Sequence, residues 1–202
     1  MKKASSLLLA ICTVLFACND AEKADPVETA DSANEAKMDN TQDSGNTAGG
    51  ATSTAATTPV DEESADFFVK AADGGMAEVA AGKLAQEKST NAKVKEFAGM
   101  MVNDHTGANA GLKELAMKKN VTLPDTISND HQKAAADMSK KTGKDFDKAY
   151  MDMQVKDHEK TVDLFEKGSK NVKDTELKGF IDNTLPKLKS HLEAARALKK
   201  TL

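Results

Sequence analysis

The stretch VKEFAGMMVNDHTGANAGLKEL, residues 94–115, sets Val94, Ala98, Met101, His105, Ala108, Leu112 and Leu115 at alternating steps of four and three. That spacing lines one face of a 3.6-residue helix and is too long and regular for a strand. Three more stripes step the same way: Phe67, Ala71, Gly74, Glu78, Ala81, Ala85; then Met151, Val155, His158, Val162, Phe165; then Leu177, Ile181, Thr184, Leu188, His191, Ala195, Leu198. Helix-forming Ala, Lys, Leu, Met and Glu dominate this region, and no alternating β-branched run interrupts it. Four such faces turned toward one another predict an all-α fold, a four-helix bundle.

The residues between the stripes agree with that division. Ser89 or Asn91 is placed to cap the second long helix and Asp174 the fourth, while Asn120 to Asp125 contains Pro124 and breaks the chain. Between Ser128 and Lys141 a short extra helix is expected, carrying Ala134, Ala135 and Met138 and ending at Gly143. It belongs to the connection between the second and third long helices, or to an early turn of the third. Gly74-Gly75 and Pro186 predict kinks, since a helical glycine costs about 1 kcal/mol and proline removes a backbone donor. One pattern recurs 53 residues apart: Phe97, Met100, Val102, Asp104 and His105 return as Tyr150, Met153, Val155, Asp157 and His158. The two middle helices are therefore candidates for pseudo-symmetric partners.

In each stripe the polar exception falls near the helix midpoint. Glu78 lies within roughly 65–89, His105 within 92–119, His158 within 144–168 and His191 within 175–200. Midpoints of antiparallel helices meet at one level, so a carboxylate and three imidazoles are expected to converge in the core, where each needs a partner. Glu78, His105, His158 and His191 would form a suitable first shell for a single transition metal, Zn, Fe, Mn or Cu. The competing reading is a structural hydrogen-bonded layer, sensitive to pH because imidazoles titrate near neutrality. Asp104 and Asp157 are expected to point elsewhere, His131 to be a surface or capping residue, and Tyr150 and the methionines to be core.

Composition changes near Ser64. Residues 65–202 hold 24 Lys and Arg against 21 Asp and Glu, interspersed, and are long enough for one core. With one Tyr, no Trp and no lysine cluster, nothing points to nucleic acid. Residues 19–64 carry eleven acids against Lys23 and Lys37, with Val27, Met38 and Val60 their only larger apolar residues. Such a segment reads as a disordered acidic linker with a reach of roughly 40 Å. Binding of cations or of a basic partner is its alternative role.

Ahead of the linker, Lys2 and Lys3 lead into the apolar run Leu7 to Phe16, which closes on Leu15-Phe16-Ala17-Cys18. The order is that of an export signal, residues 1–18, whose core is too short to span a bilayer. The closing four residues look like the lipobox of bacterial lipoproteins, with Cys18 the site of lipidation and several acyl chains giving a stable membrane anchor. Cys12 falls in the cleaved part, so no disulfide or cysteine chemistry is expected. The expected location is the cell envelope, on the outer membrane facing the periplasm.

The segments from Phe67 to Pro124, Asp145 to Glu166 and Thr184 to Leu198 together resemble the bacterial domain-of-unknown-function family numbered 4142. The resemblance implies an exported or outer-membrane protein of ferritin-like helical fold, and it implies no reaction. The wider ferritin-like superfamily holds two metals with Glu-x-x-His motifs. Here Val102, Val155 and Leu188 stand where those glutamates would be, so di-iron oxidase chemistry does not carry over. The sequence thus favours a lipid-anchored binding or stress-protective module over an enzyme. A mononuclear Glu/His₃ metal protein is its rival, and a scaffold contacting other proteins through the acidic tether or a lysine-rich face comes third.

Overall fold

A computed structural model describes residues 24–42 and 60–202. The signal segment with Cys18, and the stretch 43–59 of the expected linker, lie outside the described residues. Six helices follow in order: α1 (Pro26–Gln42), α2 (Glu62–Lys88), α3 (Ala92–Lys118), α4 (Asn129–Ser139), α5 (Gly143–Asn171) and α6 (Thr175–Lys199). Among the described residues there is no strand, and no helix is long and apolar enough to cross a membrane.

The four long helices are the four expected ones. Asn91 caps α3 by accepting from the amides of Lys93 and Val94, and Asp174 caps α6 by accepting from that of Leu177. Ser89 instead closes the end of α2. Neither Gly74-Gly75 nor Pro186 breaks its helix, because α2 and α6 each run on past them.

α2 and α3 form one antiparallel hairpin, α5 and α6 another, and α2 packs on α5 while α3 packs on α6. Gly82 lets the first pair close up, since a Cβ there would stand 2.7 Å from Val102 Cγ2 and 3.1 Å from the Ala98 carbonyl. α3 and α5 run parallel on one diagonal, so the chain from Lys119 to Thr142 must return the length of the bundle. α4 forms during that return and lies against α2 and α5. This single long crossover is the connectivity of ferritin-like bundles. The sequence repeat maps onto the diagonal pair: Phe97 meets Tyr150 with ring centroids 6.3 Å apart, and His105 meets His158 at 5.5 Å.

Two apolar clusters fill the interior. One gathers Phe67, Phe68, Leu112, Phe165, Leu177 and Ile181, and the other Val94, Met101, Phe146, Tyr150 and Met151. Between them lies a buried polar layer.

The expectation of a wholly disordered linker is corrected at Pro26–Gln42, which is helical and docked. Composition misled because the docking uses little apolar area. Ala30 is buried, the Asn34 side chain donates to the Thr122 carbonyl at 2.9 Å and accepts from the Thr122 amide at 2.7 Å, and Lys37 donates to the Asn120 carbonyl at 2.9 Å. Those bonds satisfy backbone groups of the irregular segment after α3, which would otherwise need water.

Candidate metal centre

The three bundle histidines come together. His105, His158 and His191 are 6%, 1% and 3% exposed, and their ring centroids form a near-equilateral triangle with sides of 5.5, 5.5 and 5.6 Å. One nitrogen from each ring lies within 4.8 Å of the other two. His105 Nε2, His158 Nε2 and His191 Nδ1 are all buried without a hydrogen-bond partner. Three orphaned imidazole nitrogens on three clustered rings inside a core is an unusual arrangement, because buried polar atoms are nearly always bonded.

The opposite edges of two of these rings are held by carboxylates. His158 Nδ1 faces Glu78 Oε1 at 3.2 Å and the Gln154 carbonyl at 3.0 Å. Both are acceptors only, so the Nδ1 proton must be present and Nε2 is the nitrogen left for other use. His191 Nε2 donates to Asp104 Oδ2 at 2.9 Å, which leaves Nδ1. Glu78 is fixed in turn by the Gln154 amide, which donates to Oε2 at 2.6 Å, and Asp104 by Lys187 at 3.1 Å. Carboxylates behind imidazoles set ring orientation and tautomer, the outer-shell arrangement of metal-binding histidines.

Electrostatics follow the same division. Burial pushes His105 down to about 4, so its ring is neutral throughout the neutral range. Burial also lowers His191, against the opposing pull of Asp104. Burial would lower His158 too, but its bond to Glu78, the charge of that carboxylate and the Gln154 carbonyl together outweigh this and the pKa rises. For Glu78, burial acts upward and the His158 hydrogen bond and charge prevail, holding its carboxyl below the usual range.

Glu78, His105, His158 and His191 therefore share one level, but their roles differ from the expected four-ligand shell. Glu78 stands behind His158 instead of beside it, since its carboxylate is engaged by His158 Nδ1 and Gln154. Asp104 also departs from expectation: it reaches across to α6 and holds His191. Gln154, buried one turn before His158, was missed. Its position four residues ahead of a core histidine was the available signal, since both fall on the same face.

His131 is corrected as well. It is half-buried, and its Nδ1 lies 2.9 Å from Asp73 Oδ2 on α2, while the Ser128 amide donates to Asp73 Oδ1 at 2.7 Å. This latch ties α4 to the bundle. The Asp73 hydrogen bond raises His131 above its ordinary 6.5, with burial opposing. Its contribution is thus fully present below pH 6.5 and is lost as pH climbs through the raised folded-state value. Amide exchange in α4, corrected for intrinsic rates, should accelerate relative to α3 across that rise. His131→Gln should remove the pH dependence; an unchanged profile in the variant would dismiss the latch.

Fold and layer together define a ferritin-like helical bundle whose core holds three convergent imidazoles in place of a di-iron motif. The chain belongs to the DUF4142 family, a domain of unknown function, whose profile matches residues 49–198. No match was found among curated proteins. A crystal structure of a DUF305 fragment from Deinococcus radiodurans is similar, with a TM-score of 0.64 and 10% identity, covering 71% of this chain and 99% of that one. At that identity the likeness speaks for the fold alone.

Proposed function

We propose that this protein is a mononuclear metal-binding module of the cell envelope, with His105 Nε2, His158 Nε2 and His191 Nδ1 as its ligands. The observation that carries the reading is the convergence of three buried imidazoles, each with a nitrogen within 4.8 Å of the other two and each with one nitrogen lacking a hydrogen-bond partner. Bonds of 2.0 to 2.1 Å at tetrahedral angles set ligand nitrogens about 3.4 Å apart, so loading draws the rings inward. A cation also takes the place of the proton that His158 Nε2 would otherwise carry unpaired. Glu78 and Asp104 supply two negative charges behind the ligands, which suits a divalent ion, and imidazole donors suit Zn, Cu, Fe or Ni better than Mg or Ca.

The full chain, purified in detergent and dialysed against a panel of Zn²⁺, Fe²⁺, Mn²⁺ and Cu²⁺, should retain about one equivalent of metal and melt at a higher temperature when loaded. Substoichiometric metal with no metal-dependent melting shift rejects the centre. The same reading places the module on a membrane through lipid at Cys18, supported by the lipobox-like run Leu15 to Cys18. Cys18→Ser should move the protein out of the membrane pellet, and continued sedimentation of that variant with membranes would reject the anchor.

A further inference from the structure

Three imidazoles leave a tetrahedral ion one position short, and the structure has a cavity against two of the three, His105 and His191. It measures about 30 Å³ and is bordered by His105, His191, Gly74, Asn109, Thr161 and Thr184. The orphaned His105 Nε2 and His191 Nδ1 belong to residues that line it, each less than one-tenth exposed.

Gly74 borders this space without a packing reason of its own. A glycine inside a helix is destabilising relative to alanine, so a packing reason is expected for it. Its neighbour Gly75 has one, because a Cβ there would fall 2.0 Å from Asn109 Oδ1. At Gly74 an added Cβ would meet nothing closer than Thr161 Oγ1, at 4.0 Å. No close approach requires glycine there, and a side chain at this position would enter open space beside Thr161, which also borders the cavity.

We infer that the open position of the proposed centre takes an exogenous ligand of only two or three heavy atoms, a water-sized neutral molecule or small anion, admitted through the cavity beside Gly74. A space of this size holds one or a few waters and excludes a ring. The inference rests on the metal reading and adds the class of molecule that the site handles. A metal held by three protein ligands with the fourth place open is the arrangement found where a metal acts on a bound molecule.

The test uses the full chain loaded with Co²⁺, whose visible bands report its donor set. Azide should shift those bands in the parent protein, whereas free imidazole should not. Gly74→Val should load Co²⁺ with unchanged affinity yet bind azide at least tenfold more weakly, and Gly74→Ala should fall between them while melting higher than the parent. Bands indifferent to azide in the parent, or azide binding undiminished in both variants, would overturn the inference and leave the metal centre standing. Failure of the parent to take up Co²⁺ overturns the centre and this inference with it.

Discussion

His105→Leu is expected to abolish the metal-dependent rise in melting temperature while leaving the metal-free protein as stable as the parent, or more so. The parent, with metal at a thousand times its dissociation constant, gains about 4 kcal/mol from binding, worth on the order of 10 °C for a domain of this size. The variant should gain nothing. Its metal-free stability should not suffer, because His105 Nε2 has no hydrogen-bond partner to abandon and the ring packs beside the other two histidines. An apolar side chain of similar volume removes a buried unpaired nitrogen, a relief of about 1 kcal/mol or more. This reverses the ordinary expectation for a buried histidine, which loses stability by leaving neighbours unbonded. Thermal melts with and without metal decide it. A variant that still gains with metal excludes His105 as a ligand, and a metal-free variant several degrees less stable contradicts the orphaned state.

Glu78→Ala should be the most damaging single change in the polar layer, costing about 3 to 5 kcal/mol. The carboxylate bonds to both His158 and Gln154 and is almost fully buried, so its removal strands an imidazole and an amide together. Glu78→Gln separates its two roles. The shape survives but the charge does not, and metal affinity should drop about 10- to 100-fold, the usual penalty for losing an outer-shell carboxylate. Chemical denaturation of the metal-free variants and metal titration of Glu78→Gln measure the two effects. Complete loss of metal in Glu78→Gln would make Glu78 a direct ligand, as the sequence pattern first suggested. Full retention would leave it with no part in the centre.

The helices and the level of the polar layer were legible because both depend on period alone. A four-and-three step marks the inward face, and the midpoint of a helix is a position along its length. What period cannot supply is the direction of a side chain at the edge of that face. Asp104 sits one residue from the inward position of His105, which on a helical wheel is a flank. In the bundle that flank is where α3 meets α6, and the carboxylate finds His191 there. Glu78 shows the same limit from the other side: its level was readable, but which edge of which imidazole it would meet depends on ring orientation. α1 was illegible for a different reason. It docks by hydrogen bonds from Asn34 and Lys37 to the backbone beyond α3, and polar docking leaves no hydrophobic pattern to read.

That docked helix changes how far an anchored molecule can stray. If lipid holds Cys18, only the eight residues to Pro26 separate the bilayer from a rigid body, a leash of at most about 28 Å even when taut. α1 would then work as a mooring. In that case the part of the bundle nearest the membrane would be the flank where Asp25 meets Asn129, level with Asp73 on α2.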